Sequence, residues 1–305
     1  MDAKVASHTI HSVGVDLGGT KVAAALFTRA GELIGEIFQA PTLADQPREA
    51  TLASIDRVIA AAMASNPSGG IIAGIGVGST GPLDPDSGTI LEAETLPALF
   101  HFPLAKTLED RFGAAVRITN DANAFTLAEA THGAGRGHSI VMGITLGTGC
   151  GCGVVLRGAI LEGASANTGE VYRAPLDGRT FDEVLSGTGL ELRYRQRAKT
   201  SASGAEIDRR AREGEAAALA AFDDFGADVA AGLGILAAVV DPGVIVLGGS
   251  VSSSYPNFRA ALERELPRHV APGVARGLRV VPAHLGARAG VLGAAALVFA
   301  GESIR

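Results

Sequence analysis

A strand–glycine turn–strand unit occurs twice in this chain, and the repeat limits its fold more than any other feature. Residues 12–16 and 22–27 are apolar runs of strand length around Leu17-Gly18-Gly19-Thr20-Lys21. Residues 139–145 and 153–156 repeat the pattern around Leu146-Gly147-Thr148-Gly149-Cys150-Gly151. Each unit continues, past a second turn, into a third strand at 33–39 and at 159–162. Helical spacing follows at 46–65, 103–113 and 121–132 in the first half, with buried strands at 71–77 and 116–119. The second half reads as helices at about 182–199, 213–240, 257–266 and 288–299, with strands at 244–247 and 278–282. Strands alternating with helices mean an α/β fold, and the repeat means duplication at domain scale. A cleft between matching halves is the expected place for a ligand.

The 305 residues exceed what one hydrophobic core usually serves, which also favours two domains. The expected cut lies near Thr119, giving 1–119 and 120–287, with a last helix at about 288–305 packing back on the first half. The charge balance of 26 basic and 32 acidic residues is mildly acidic, without a basic run, so a nucleic-acid face is not expected. The most apolar stretch, 229–247, is broken by Asp241-Pro242-Gly243 and reads as helix, turn and strand, so no membrane partner is expected. Residues 1–11 lack the apolar segment of a signal peptide. Cys150 and Cys152 make no disulfide framework. Placed on opposite faces of one strand they would not bridge, and a reducing cytoplasm fits.

The glycine turns are the first candidates for chemistry. A glycine pair lets backbone N–H groups approach an anion, and Thr20 adds a hydroxyl. Asp16, ending a buried strand, is placed to hold Mg²⁺ directly or through water. An ordinary hairpin turn is the plainer reading of either turn alone, but two at equivalent points suit the two ends of a polyphosphate. In Thr119-Asn120-Asp121-Ala122-Asn123-Ala124, Asp121 follows a strand and begins a helix, so it serves as N-cap or as a carboxylate base. Gly76-Val77-Gly78-Ser79-Thr80-Gly81 matches a dinucleotide fingerprint, but Pro82-Leu83-Asp84-Pro85 reads as a loop where that site needs a helix. The seven histidines show no metal spacing. Arg193, Arg195 and Arg197 alternate along a helix and read as a solvated surface.

These turns, with Asn120-Asp121 between them, Gly169-Glu170 after them, Val246-Leu247-Gly248-Gly249-Ser250 and the closing stretch 290–296, resemble the ROK family of sugar kinases and repressors. The resemblance implies two duplicated actin-like (ribonuclease H-like) domains with a cleft between them. It also implies ATP and Mg²⁺ as cofactors, a small sugar as the other partner, and a homodimer. ATP phosphates would lie on Asp16, Gly18, Gly19, Thr20, Lys21, Gly147, Thr148 and Gly149, with the nucleoside near Gly248 and Gly249. Asp121 would be the catalytic base for a hexose 6-hydroxyl. Gly81, Glu94, Asn120, Asp121, Glu170, Arg173 and Asp182 would bind sugar, with Glu183 the neighbouring candidate to Asp182. The chain departs from the family after Glu170: Val171-Tyr172-Arg173 stands where x-Gly-His is expected. Arg173 thus replaces a His that binds sugar and often zinc in relatives. The Cys-rich stretch is missing too, so no zinc is expected. If buried, Arg173 needs an anionic partner, either Glu170, Asp182 or Glu183, or a carboxylate on the substrate. Only about eleven residues precede the first strand, too few for a repressor's helix-turn-helix. A sensor that has lost catalysis remains the other alternative.

Overall fold

The computed structural model describes residues 9–67 and 70–301. The first eight residues, on which the signal-peptide reading partly rests, lie outside them. So do Ser68 and Gly69, between the first helix and the strand that follows it, and the last four residues of the 288–305 segment. Along the chain run β1 (Ile10–Leu17), β2 (Lys21–Thr28), β3 (Leu33–Pro41), α1 (Arg48–Ala64), β4 (Ile71–Ser79), α2 (Leu104–Phe112), β5 (Val116–Asn120) and α3 (Asp121–His132). Then come β6 (Ile140–Leu146), β7 (Cys150–Leu156), α4 (Gly187–Ala198), α5 (Gly204–Arg212), α6 (Ala216–Val240), β8 (Val244–Gly248), α7 (Tyr255–Glu265), β9 (Arg279–Pro282) and α8 (Ala289–Leu297).

The chain divides into two compact units, one of residues 1–133, 158–166 and 285–305, the other of 134–157 and 167–284. The change of unit at Gly133 differs from the cut expected at Thr119, because α3 packs on β4 and α8 of the first unit.

In the first unit the sheet order is β3-β2-β1-β4-β5, with β1 antiparallel to β2 and parallel to β4, and β4 parallel to β5. β1 is buried on both faces, as its near-continuous apolar run requires. Helix α8 lies against β1 and β4 at backbone distance. A Cβ on Gly14 would meet Val291 O at 1.8 Å, and one on Gly76 would meet Ala294 O at 1.8 Å. Ser12 Oγ donates to Ala295 O, and Arg117 Nη1 donates to the Leu297 and Ala300 carbonyls at the end of that helix.

In the second unit the strands run β7-β6-β8-β9, with β6 antiparallel to β7 and parallel to β8, and β8 parallel to β9. The strand order and directions repeat those of β2-β1-β4-β5, so the duplication read from the glycine turns is structural. Phe222, Phe225 and Phe258 form its aromatic core, with the Phe225 and Phe258 rings edge to face at 5.4 Å.

Four local readings change. The helix expected at 182–199 is two, Phe181–Val184 and α4, because Ser186 caps the second by accepting from Gly189 N. Spacing also missed α5, which Gly214, at φ +86°, separates from α6. Cys150 and Cys152 lie in β7 rather than in the turn. Two apart, they share one face instead of opposing faces, since side chains alternate with period two; both are free and buried. Arg193 is no surface residue either. It is 5% exposed and ion-paired with Asp228, whereas Arg197 pairs with Asp224 at the surface.

Candidate active site

Parallel strands end together at one edge of the first unit's sheet. Leu17 pairs with Ser79, and Ser79 with Asn120, so the loops after β1, β4 and β5 leave from one row. Ligands of open α/β sheets gather at such carboxyl ends. This edge brings together Asp16, Gly18, Gly19, Thr20, Lys21, Gly81, Glu94, Asn120 and Asp121. A Cβ on Gly19 would sit 2.6 Å from Thr95 O, next to the exposed Glu94, and Thr95 Oγ1 lies 2.8 Å from Thr80 Oγ1. A Cβ on Gly81 would lie 3.3 Å from the Asn120 amide nitrogen.

The first turn is pinned from β3's end by a residue the sequence did not flag. Buried Thr42 donates its hydroxyl to Gly18 O at 2.6 Å and its N–H to Thr20 O. Gly18 N–H is itself used, donating to Lys21 O, while Gly19 and Thr20 N–H have no acceptor among the described residues. Asp16 is largely buried, and burial pushes its carboxyl above the ordinary range, with the nearby Lys21 pulling the other way. Its position and lack of a bonded neighbour among the described residues suit a cation.

Asn120, not Asp121, is the N-cap of α3: its side chain accepts from Ala122 N at 2.8 Å. Asp121 occupies the first helical position, where its Oδ1 also accepts from Ala122 N at 2.7 Å. The helix therefore does not need Asp121 as its cap. One turn on, Asn123 is buried with its Oδ1 unbonded, a feature no motif flagged.

In the second unit the turn is shorter than its sequence stretch: Gly147, Thr148 and Gly149 between β6 and β7. Gly147 N–H donates to Gly149 O, leaving Thr148 and Gly149 N–H without an acceptor among the described residues. Open space surrounds Gly147, where an added Cβ would meet nothing within 4 Å. Two bonds fix the turn's flanks, Gly187 N–H donating to Gly147 O at 2.8 Å and Cys150 N–H to Asp182 Oδ1 at 2.6 Å. Asp182, a sugar candidate on sequence, thus braces the glycine turn. Gly249 adopts φ +82° against Leu146 O, which puts Gly248 and Gly249 at the mouth of β6. Beside the turn opens a pocket of about 670 Å³, lined by Gly147, Thr148, Thr188, Glu191, Asp208 and Ser250 among others. Of these, Thr188, Glu191 and Asp208 carried no sequence signal.

Gly169, at φ +88°, backs onto the Cys152 carbonyl and sets Glu170 near β7. Partial desolvation raises the Glu170 carboxyl although the residue is exposed. Arg173 is exposed, and its guanidinium lies 5.9 Å from the Tyr172 ring centroid. It forms no ion pair among the described residues; Asp182 is bonded to the turn. The exposed Glu183 closes a capping box, accepting from Thr180 N, which lowers its carboxyl. Among the described residues no group of three or more His, Cys, Asp or Glu is placed to hold a metal, and no helix is long and apolar enough to cross a membrane.

Known proteins resemble this chain over nearly its whole length. An N-acetyl-D-glucosamine kinase of Escherichia coli O127:H6 is 33% identical over 304 residues, covering 93% of this chain and 98% of its own. A ROK hexokinase from Thermus thermophilus superposes with a TM-score of 0.79 at 30% identity, covering 95% of this chain and 98% of its own. A ROK family glucokinase from Streptomyces griseus, solved with glucose and AMPPNP, gives 0.77 at 29% identity over 94% and 98%. Residues 12–300 match the ROK family itself, and the chain, an α/β protein of two duplicated actin-like domains, belongs to that family.

Proposed function

We propose that this chain is an ATP-dependent sugar kinase that phosphorylates a hexose, glucose or a related sugar such as an N-acetylhexosamine, at its 6-hydroxyl. The observation that carries the reading is Asp121, a carboxylate at the first position of α3, next to the capping residue Asn120. Its position, in the row shared with the first glycine turn, suits a base. Asp121 takes the proton of the sugar hydroxyl as that oxygen bonds to the γ-phosphorus, and the bond to the β-phosphate oxygen breaks to release ADP. The free N–H groups of Gly19, Thr20, Thr148 and Gly149, with Lys21, offset phosphate charge. A Mg²⁺ ion, held through Asp16, would supply further charge neutralisation. Gly81, Glu94, Asn120 and Glu170 position the sugar, and the pocket beside Gly147 has the size for a nucleoside. The similarity to a glucokinase solved with an ATP analogue supports this donor.

A second reading, a kinase for a sugar acid, is favoured by Arg173, an exposed guanidinium without an ion pair among the described residues. One experiment tests both: coupled ADP release with glucose, N-acetylglucosamine, N-acetylmannosamine, fructose, allose, gluconate and glucuronate, in the parent and in Arg173→His. Turnover on neutral hexoses supports the first reading. Acid preference lost in the mutant supports the second. No turnover on any sugar, with sugar binding retained, makes the chain a sensor.

A further inference from the structure

Behind the second glycine turn lies a buried cation that the proposed chemistry does not use. Arg193, on α4, spreads its guanidinium over four bonds. Nε and Nη2 donate to Asp228 Oδ2 of α6, Nε at 3.0 Å; Nη1 donates to Val184 O at 3.1 Å and to Gly189 O at 2.6 Å. The Phe225 ring lies under it, 5.6 Å from centroid to Cζ. Val184 and Gly189 are the two sides of the elbow between the short helix Phe181–Val184 and α4. Without the guanidinium the buried Val184 carbonyl would lose this donor, at a desolvation cost, and the Gly189 carbonyl would keep only its helical partner.

The elbow is what holds the turn. From its first limb Asp182 receives Cys150 N–H, and from its corner Gly187 N–H reaches Gly147 O. Both ends of Gly147-Thr148-Gly149 are therefore set by a segment whose bend Arg193 closes. A Cβ on Gly189 would lie 2.5 Å from Val184 O, so the bend has no slack. Thr188 and Leu190, beside the corner, also line the pocket next to the turn.

We infer that Arg193 is a positioning residue for the phosphate-binding turn: through the elbow it holds Gly147, Thr148 and Gly149 in the shape that receives the donor's phosphates. The inference rests on the proposed use of that turn. Its own residues face the nucleotide, and Arg193 touches none of them. Lysine cannot reproduce the fork, because a single ammonium cannot bond Asp228 and both carbonyls in one plane.

The test is calorimetric binding of AMPPNP with Mg²⁺ to the parent, Arg193→Lys, Asp182→Ala and the double variant, with sugar binding measured on the same samples. Arg193→Lys should weaken AMPPNP about 5- to 20-fold, Asp182→Ala by a similar factor, and the pair by little more than either, since they act through one elbow. Sugar affinity should hold within about twofold. Additive losses, an unchanged AMPPNP affinity in Arg193→Lys, or equal losses for sugar and nucleotide would overturn the inference. If Arg193→Lys does not fold, Asp228→Asn keeps the guanidinium on both carbonyls while loosening its anchor. A loss confined to AMPPNP then supports the role, and an unchanged affinity removes it. A parent that binds AMPPNP but phosphorylates no sugar would refute the kinase reading and leave Arg193's role standing; a parent that binds no AMPPNP would refute both.

Discussion

Gly290 and Asp16 stand so close that a Cβ on Gly290 would lie 2.6 Å from the Asp16 Oδ2. The first turn of α8 therefore forms one wall of the carboxylate's site. Gly290→Ala should force the carboxylate or the helix aside, at about 1–3 kcal/mol. Turnover should fall more than sugar affinity, measured by initial rates and by sugar titration. An unchanged rate at saturating Mg²⁺ and ATP would show that Asp16 has another role.

The same burial makes Asp16 a pH-dependent burden. Its folded pKa is raised above the ordinary 3.8, so the folded chain keeps that proton to a higher pH than the unfolded chain. Stability linked to this group is full below 3.8 and is lost as pH rises through the folded value. Asp16→Asn should therefore raise the Tm of the ligand-free protein at pH 7, by an increment that shrinks toward pH 4. It should also cut Mg²⁺-dependent turnover by about 100-fold or more. A lower Tm at pH 7 would contradict the assignment of burial as the dominant influence.

Asp121→Asn should lower turnover by about 10²–10⁴-fold with sugar binding spared, because the amide cannot accept the proton. Circular dichroism should be unchanged, since Asn120 caps α3. A rate within about threefold of the parent would mean that Asp121 is not the base.

Gly147 and Gly249 are glycines of different kinds. Gly147 has a negative φ and open space around it, so Gly147→Val should fold normally; the branched side chain would occupy the space proposed for phosphate. KM for ATP should rise well above that of the parent with KM for sugar little changed. Gly249 is at φ +82° with Leu146 O 2.4 Å from any added Cβ. Gly249→Ala should cost about 1–3 kcal/mol in urea unfolding. Reversed results, an unstable Gly147→Val and a neutral Gly249→Ala, would show that the turns are misassigned.

Burial pushes the Cys150 and Cys152 thiols up to about 12, with Asp182 adding to the first and Cys150 and Glu170 to the second. Both stay protonated at neutral pH and are poor metal ligands and poor nucleophiles. Native protein at pH 8 should leave a disulfide reagent unreacted until denaturant is added. Elemental analysis should find no stoichiometric zinc. A zinc content near one per chain would overturn the reading of the segment after Glu170.

The glycine turns and the alternation of strands with helices were legible because apolar runs of strand length and turn residues are local signals. The positions of Asn120-Asp121 and Asp16, near the ends of β5 and β1, were legible for the same reason. What stayed hidden depends on partners distant in sequence. Nothing near Thr42 says that its hydroxyl meets Gly18 O, and nothing near Arg193 says that Asp228, 35 residues on, will pair with it. The split of the 182–199 helix at the Ser186 cap lets Gly187 N–H reach Gly147 O, a contact that helical spacing cannot report. The glycines were noticed for their number, yet Gly14 and Gly76 serve a different purpose from the turns: they let a helix backbone approach a sheet.

That close seat for α8 has a consequence in time. The first unit's strands are complete by Asn120, but the helix that covers Gly14 and Gly76 comes from residues 289–297. During synthesis the glycine-lined face waits while roughly 170 residues are made, some 8–35 s at ordinary elongation rates. The second unit's residues, which end at His284, emerge in that interval and can complete their own core first. The order of birth is thus inverted in the order of completion, and a nascent chain stalled before Ala289 carries an uncovered sheet.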